Sequence, residues 1–296
     1  MNESSSGSHA THAASPQSLA LFDAYAPAEV AKRVREVGVA KAEAPVAATF
    51  VLAVLAGAFI ALGALFFTIT MTTGAASVPP PPFGLLRLAA GITFSLGLIL
   101  VVIGGAELFT GNNLLAMAWA SGRVTTTQVL QNWGLVYVGN LVGSAGTALL
   151  VWLANIHQLD GGAVGETMVS IARAKVSLDP MTAVARSILC NALVCLAVWL
   201  CMAARSVADK ILAILFPISA FVACGFEHSV ANMYFLPIGL AIAAGSPAPL
   251  SIAASLTQLT LVTIGNILGG TLLVALVYWT VYLRQDPSTL PKSTSA

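Results

Sequence analysis

Two short stretches decide the fold: GGAELFTGNN at residues 104–113 and GFEHSVANM at residues 225–233. Each sits inside an otherwise apolar run. Each carries glycine beside an ionisable residue: Glu107 in the first, Glu227 and His228 in the second. Glycine on both sides of Glu107, and before Glu227, predicts a break in the helix. Ionisable groups at membrane depth are costly and face a pore or the protein interior. Broken helices survive in lipid only where protein or water satisfies the freed backbone groups.

The surrounding composition makes lipid the solvent. Of the 296 residues, 57% are hydrophobic and 8% charged, against about 25% charged in soluble domains. Such a chain cannot cover a globule with polar side chains. A cytosolic enzyme, a nucleic-acid binder and a disordered chain are excluded on this ground, and the net charge of +1 offers nothing to a polyanion. The first twenty residues are polar and lack the apolar core of a secretory signal, so the first apolar stretch is expected to stay in the mature protein. Cys190, Cys195, Cys201 and Cys224 show no metal-site spacing and are expected to pack as small apolar groups.

A spanning helix needs ~20 apolar residues. Apolar stretches begin near residues 45, 83, 127, 181, 210 and 249, which predicts six spans. Four prolines at 79–82 separate the first two. Residues 20–43 read as an amphipathic helix, with Val30, Val34, Val37 and Ala40 on one face, set on the membrane surface or against the cytoplasmic mouth. The chain thus divides into a leader at 1–43, a transmembrane domain at 44–284 and a tail at 285–296. The stretch carrying His157 and Lys175 is read as an outer loop. Lysine and arginine bias, from Lys32, Arg33, Arg35, Lys41, Arg123, Arg205, Lys210, Arg284 and Lys292, puts both termini in the cytoplasm; Arg87, Arg173, Lys175 and Arg186 fall on the outer side.

The chain also repeats. Gly105, Glu107 and Asn112 match Gly225, Glu227 and Asn232 at an offset of 120, and VGNLVGS (138–144) matches IGNILGG (264–270). Each half, about 44–155 and 180–284, thus holds a plain, a broken and a glycine-rich helix. Three spans per half require the second half to be inverted. Inverted repeats with broken helices are transporter and pore architecture.

His228 is the one histidine within a predicted span, able to hydrogen-bond an anion or exchange a proton near neutral pH. Glu107 and Glu227 share a position, which suggests a shared structural role in accepting from free backbone N–H groups of the following half-helix. Thr110 places a hydroxyl near the break. Phe94, Leu98 and Phe221 are candidate apolar constrictions. Lys175, read as exposed, would draw anions towards an outer vestibule. The sequence has no metal-ligand cluster, phosphate loop or nucleophile elbow, and no cofactor is expected.

These motifs, with CNALVCLAVW at 190–199, resemble the formate/nitrite transporter family over about residues 20–285. The resemblance implies an aquaporin-like fold, six spans per subunit and a homopentamer with one pore per subunit. It maps the family's central histidine onto His228, the preceding acid onto Glu227, the loop threonine and leucine onto Thr110 and Leu108, and the pore asparagine onto Asn191. Its constrictions map onto Phe94, Leu98, Val194 and Phe221, its vestibule lysine onto Lys175. ELFTGN looks nearer the nitrite branch. FSLGLIL (94–100), EHSVANM and CNALVCLAVW look nearer the formate branch. The expected function is therefore inner-membrane transport of small weak-acid anions, formate favoured, with nitrite and hydrosulfide open. A neutral-solute channel is the rival, but no Asn-Pro-Ala motif is present; a membrane-embedded enzyme would need a nucleophile–base pair that is not seen.

Overall fold

A computed structural model describes residues 23–73 and 81–284. Residues 20–22 of the expected leader helix and the tail at 285–296 lie outside them. Among the described residues the secondary structure is helical throughout, with no strand. Five helices are long and apolar enough to cross a membrane: Val46–Met71 (α2), Phe83–Gly104 (α3), Thr126–Leu153 (α5), Pro180–Ala203 (α7) and the final stretch Ile252–Tyr282. That final stretch is α10 (Ile252–Leu268), a π-helical segment at Gly269–Ala275, and α11 (Leu276–Tyr282).

The remaining expected span does not form one helix. Val207–Ala223 (α8) and Ser229–Ala243 (α9) are separate, each too short to cross alone. The first repeat breaks more severely. After α3 the chain runs through residues 105–110 into a 3₁₀ turn at Gly111–Leu115 and a five-residue helix, Ala116–Ala120 (α4). Both breaks have one cause. Gly105 and Gly225 sit in the left-handed region, at φ 73° and 72°, and the N–H of the next residue reaches back to Val101 O and Phe221 O at 2.9 and 3.0 Å. This is a helix stop that a side-chain-bearing residue enters only at a cost of about 1–2 kcal/mol.

The stretch between the halves is corrected from a loop to a helix, Ala163–Val176 (α6), and Lys175 lies in its last turn. The N-terminal helix, Pro27–Glu43 (α1), packs against the protein and buries Val30, Ala31, Val34, Arg35 and Gly38. Gly38 abuts Leu115 and Ala118. Of the two placements expected for the leader, this is the one against a mouth. Tyr25 lies between the guanidinium groups of Arg33 and Arg205, at 3.9 and 3.7 Å, and its N–H donates to Ala203 O. At the other mouth Asp179 caps α7, and hydrogen bonds from Thr182 hold its exposed carboxylate below the usual range.

The repeat reappears as duplicated packing. Gly143 on α5 meets the backbone of Val54 on α2, and Gly269 meets the backbone of Ile188 on α7. A Cβ at either glycine would overlap the facing chain, so close helix approach fixes glycine there. Cys190, Cys195 and Cys201 are buried as expected, whereas Cys224, at the exposed end of α8, is not.

Candidate functional site

Backbone groups freed at the two breaks must be satisfied inside the protein. Asn140 on α5 does this for the first: its Nδ2 donates to Ala53 O at 2.7 Å and Glu107 O at 2.9 Å, and its Oδ1 accepts from Phe109 N–H at 2.9 Å. Asn266 on α10 does the same for the second, donating to Ser187 O at 2.8 Å and Glu227 O at 3.0 Å and accepting from Ser229 N–H at 2.8 Å. Both asparagines are fully buried. These are the asparagines of the two glycine-rich repeats, which the sequence pairs without showing what they bind.

Each break also carries a lysine–glutamate–asparagine group. Lys41 Nζ donates to Glu107 Oε1 at 2.8 Å and to Asn112 Oδ1 at 2.9 Å, and Asn112 Nδ2 donates to Glu107 Oε2 at 2.7 Å. Lys175 Nζ donates to Glu227 Oε2 at 2.9 Å, and Asn232 Nδ2 donates to the same oxygen at 2.9 Å. Two expectations are corrected here. The carboxylates do not cap the half-helices; they bind the lysines and asparagines. Lys175 is not a solvated charge: its side chain is 12% exposed and ion-paired. Lys41 on α1 and Lys175 on α6 bind the two matching glutamates, at an offset of 134 rather than 120, so α1 and α6 play like parts in the two halves although the sequence motifs do not include them.

The half-helix cap is the histidine. His228 precedes α9, and its Nδ1 accepts from Ala231 N–H at 3.0 Å. In the neutral ring the proton then lies on Nε2, which faces Thr110 Oγ1 at 3.0 Å. With that oxygen accepting, the Thr110 hydroxyl proton is free to point at a guest. Leu108 holds the matching position in the first repeat, offset 120 from His228, and an apolar side chain cannot cap. The centre thus has one polar and one apolar face.

Two cavities meet this centre from opposite ends. One, of about 230 Å³, lies beside α1 and is lined by Val34, Lys41, Leu98, Val101, Glu107 and Leu108, among others. The other, of about 220 Å³, is lined by Arg87, Phe94, Lys175, Phe221, Glu227 and His228, among others. Along α3, Arg87 and Val101 are about 21 Å apart at 1.5 Å per residue, so the cavities open at opposite ends of the helix. Phe94 and Phe221 touch edge to face with centroids 5.5 Å apart, and Phe221 stacks on the His228 ring at 5.9 Å. Phe94, Leu98, Leu108, Phe221, Thr110 and His228 are all buried. Together they form an apolar plug between the cavities with a hydroxyl and an imidazole inside it.

Two further residues expected at the pore, like Thr110, line neither cavity. Asn191 lines neither cavity; its Nδ2 donates to Asn113 Oδ1 and to Asn266 O, both at 2.7 Å, which ties α7 to α10. Val194 is buried and also lines neither. The sequence did not reveal the cavity positions of Lys41, Arg87 and Arg186. Their one signal was charge, which placed Lys41 on the inner side and the two arginines on the outer.

Such a molecule, with long apolar helices, paired broken helices and two cavities facing one plug, is a membrane protein of the channel and transporter class. A sequence model of the family described as "Formate/nitrite transporter" matches residues 28–280, and the chain belongs to that family. It is 44% identical over 281 residues to the formate channel FocA of Escherichia coli, spanning 90% of this chain and 97% of the relative. It is 37% identical to a probable formate transporter of Methanothermobacter thermautotrophicus, over 88% and 97% of the two chains. A solved structure described as a pentameric formate channel with formate bound matches with a TM-score of 0.74 at 36% identity, covering 81% of this chain and 98% of that one. Another, described as an FNT family ion channel, matches with a TM-score of 0.72 at 32% identity, covering 86% and 98%.

Proposed function

We propose that the protein carries small monovalent anions of weak acids, formate foremost, across a bacterial inner membrane. The observation that carries this reading is the His228–Thr110 pair, buried in an apolar plug between two cavities that each hold a lysine–glutamate group. A bare anion in the plug would lose its hydration at a cost of several kcal/mol. The Thr110 hydroxyl and the imidazole replace part of that hydration, and protonation of the anion by way of His228 removes the charge before it passes Phe94, Leu98 and Phe221. Relatives named as formate channels or transporters support formate over nitrite and hydrosulfide.

The subunit is read as six spans in two inverted repeats, aquaporin-like, with α8 and α9 together making the fifth span and α3 with the 3₁₀–α4 segment the second. Exposed apolar residues on α2, α5 and α10, such as Phe66, Leu149 and Leu256, suit lipid or neighbouring subunits, and the pentameric relative supports a homopentamer. Both termini lie in the cytoplasm in this reading, so the cavity beside α1 is the inner one. The protein moves its substrate without covalent chemistry and acts as no enzyme.

Osmotic swelling of proteoliposomes tests the reading. Vesicles holding the protein should swell rapidly in isosmotic formate and no faster than empty vesicles in glycerol. Equal swelling in both solutes would establish a neutral-solute channel instead.

Helix α1 supplies the gate in this reading, since Val34, Gly38 and Lys41 line the inner cavity. Removing residues 1–43 should leave a folded pentamer whose passive formate flux no longer varies with pH, while uptake driven by a proton gradient through His228 persists. It also strips Glu107 of its lysine and leaves Asn112 donating to it, so the truncated protein should regain stability when Glu107 becomes Gln. Flux measured from about pH 5 to 8 on the intact and truncated proteins checks the first outcome; an intact pH response makes α1 structural only.

A further inference from the structure

The outer cavity is electrically unlike the inner one. Its lining carries three cations, Arg87, Lys175 and Arg186, against one carboxylate, Glu227. Among the described residues, the inner lining carries Lys41 against Glu107 and no other charge. Lys175 is already paired with Glu227, as Lys41 is with Glu107. The uncompensated positive charge of the outer cavity therefore belongs to the two arginines.

Their geometry suits a shared guest. Arg87 is anchored by its Nε and one Nη to the carbonyls of Ala223 and Val222 at the end of α8, which leaves the rest of its fork free. The Arg186 guanidinium has no hydrogen bond or ion pair among the described residues and is exposed. Both groups converge on Gly225: a Cβ there would lie 3.3 Å from Arg87 Nη2 and 4.0 Å from Arg186 Nη1. Two like charges facing one point on a cavity wall repel, and an anion placed between them relieves that repulsion. Guanidinium forks match planar anions with two oxygens, such as a carboxylate or nitrite, better than a monatomic or sulfur anion.

We infer that Arg87 and Arg186 form an anion-holding station at the outer mouth that loads small two-oxygen anions towards His228 and gives the two faces of the transporter different apparent affinities. The station rests on the transport reading, and it selects formate and nitrite over hydrosulfide. A cavity with one excess sign of charge raises the local counter-ion concentration by about tenfold or more. Lys175, neutralised by Glu227, contributes little to that excess.

Arg186→Gln is the variant of choice, because an exposed side chain without partners can be changed without unfolding the protein. In oriented proteoliposomes its KM for formate supplied at the outer face should rise roughly threefold to tenfold. KM at the inner face should change less, and the ratio of the two directional saturating fluxes should shift to match, because net flux must vanish at equal concentrations. Arg186→Lys keeps the charge and should keep most of the affinity, yet lose preference for formate over hydrosulfide. An unchanged outer KM, or equal shifts at both faces, overturns the proposal.

A second readout needs no transport. Cys224 is exposed and adjoins Gly225, while the other three cysteines are buried. An anionic methanethiosulfonate should label Cys224 faster than a cationic one, and Arg186→Gln should shrink that ratio. An unchanged ratio overturns the station. A ratio that shrinks in a protein that moves no formate would retain the station and reject the transport reading, so the two failures are distinguishable.

Discussion

His228→Asn should abolish formate uptake driven by a pH gradient while sparing passive movement down a formate gradient. Asparagine is a good half-helix cap, so its Oδ1 can replace Nδ1 as acceptor for Ala231 N–H, now 3.0 Å from the ring. Its Nδ2 can still donate towards Thr110. What it cannot do is take up and pass on a proton. A group placed for proton transfer contributes about a hundredfold or more, so gradient-driven uptake should fall by roughly that factor. The relay has a structural requirement. A neutral His228 that gave up its Nε2 proton would become an anion, so the ring must first gain a proton on Nδ1. That breaks its bond to Ala231, and each turnover then loosens and remakes the start of α9. His228→Leu is the contrasting variant: it orphans Ala231 N–H inside the protein at about 1–3 kcal/mol and should yield less pentamer. The measurement is proteoliposome flux with and without an imposed proton gradient, at matched pentamer content. Full gradient-driven uptake by the Asn variant would end the relay.

The second large effect is on stability. An exposed lysine that merely concentrates anions could be removed with little cost to the fold. Lys175 is instead ion-paired to Glu227, with side-chain exposures of 12% and 6%. Lys175→Ala leaves Glu227 buried with Asn232 as its other side-chain partner. Breaking such a pair from one side costs up to about 3–5 kcal/mol, because the charge left behind is largely buried and has lost its counter-ion. The variant should melt well below the wild type and lose pentamer during solubilisation. Lys175→Met combined with Glu227→Gln should recover most of that loss, since no charge is then stranded and Gln still meets Asn232. Thermal melting followed by size-exclusion chromatography checks both. A Lys175→Ala protein as stable as the wild type, with weaker formate affinity, would restore the exposed-vestibule role. Lys41→Ala should cost less, because Lys41 is 26% exposed and water can partly solvate Glu107 in its place.

Much of this protein is legible along the chain, and the reason is local. Low charge and apolar runs of ~20 residues specify spanning helices without reference to any partner. Glycine at 105 and 225 specifies the breaks, because only the left-handed conformation stops a helix there. The offset of 120 between GGAELFTGNN and GFEHSVANM identifies matching breaks without knowledge of any contact. His228 and Thr110 stand out by their places in those breaks, whereas Phe94, Leu98 and Phe221 were candidates that the family resemblance singled out. Only the tertiary structure decided what the charges do. Lys41 and Glu107 are 66 residues apart, Lys175 and Glu227 are 52 apart, and no local pattern brings such pairs together. The same distance hid the partners of Asn140, Asn191 and Asn266. It also moved α6 from a loop into the repeat. Helix and break are set by the preferences of neighbouring residues; a buried charge or amide is assigned by whichever partner the packed helices bring within about 3 Å, and that is a property of the whole fold.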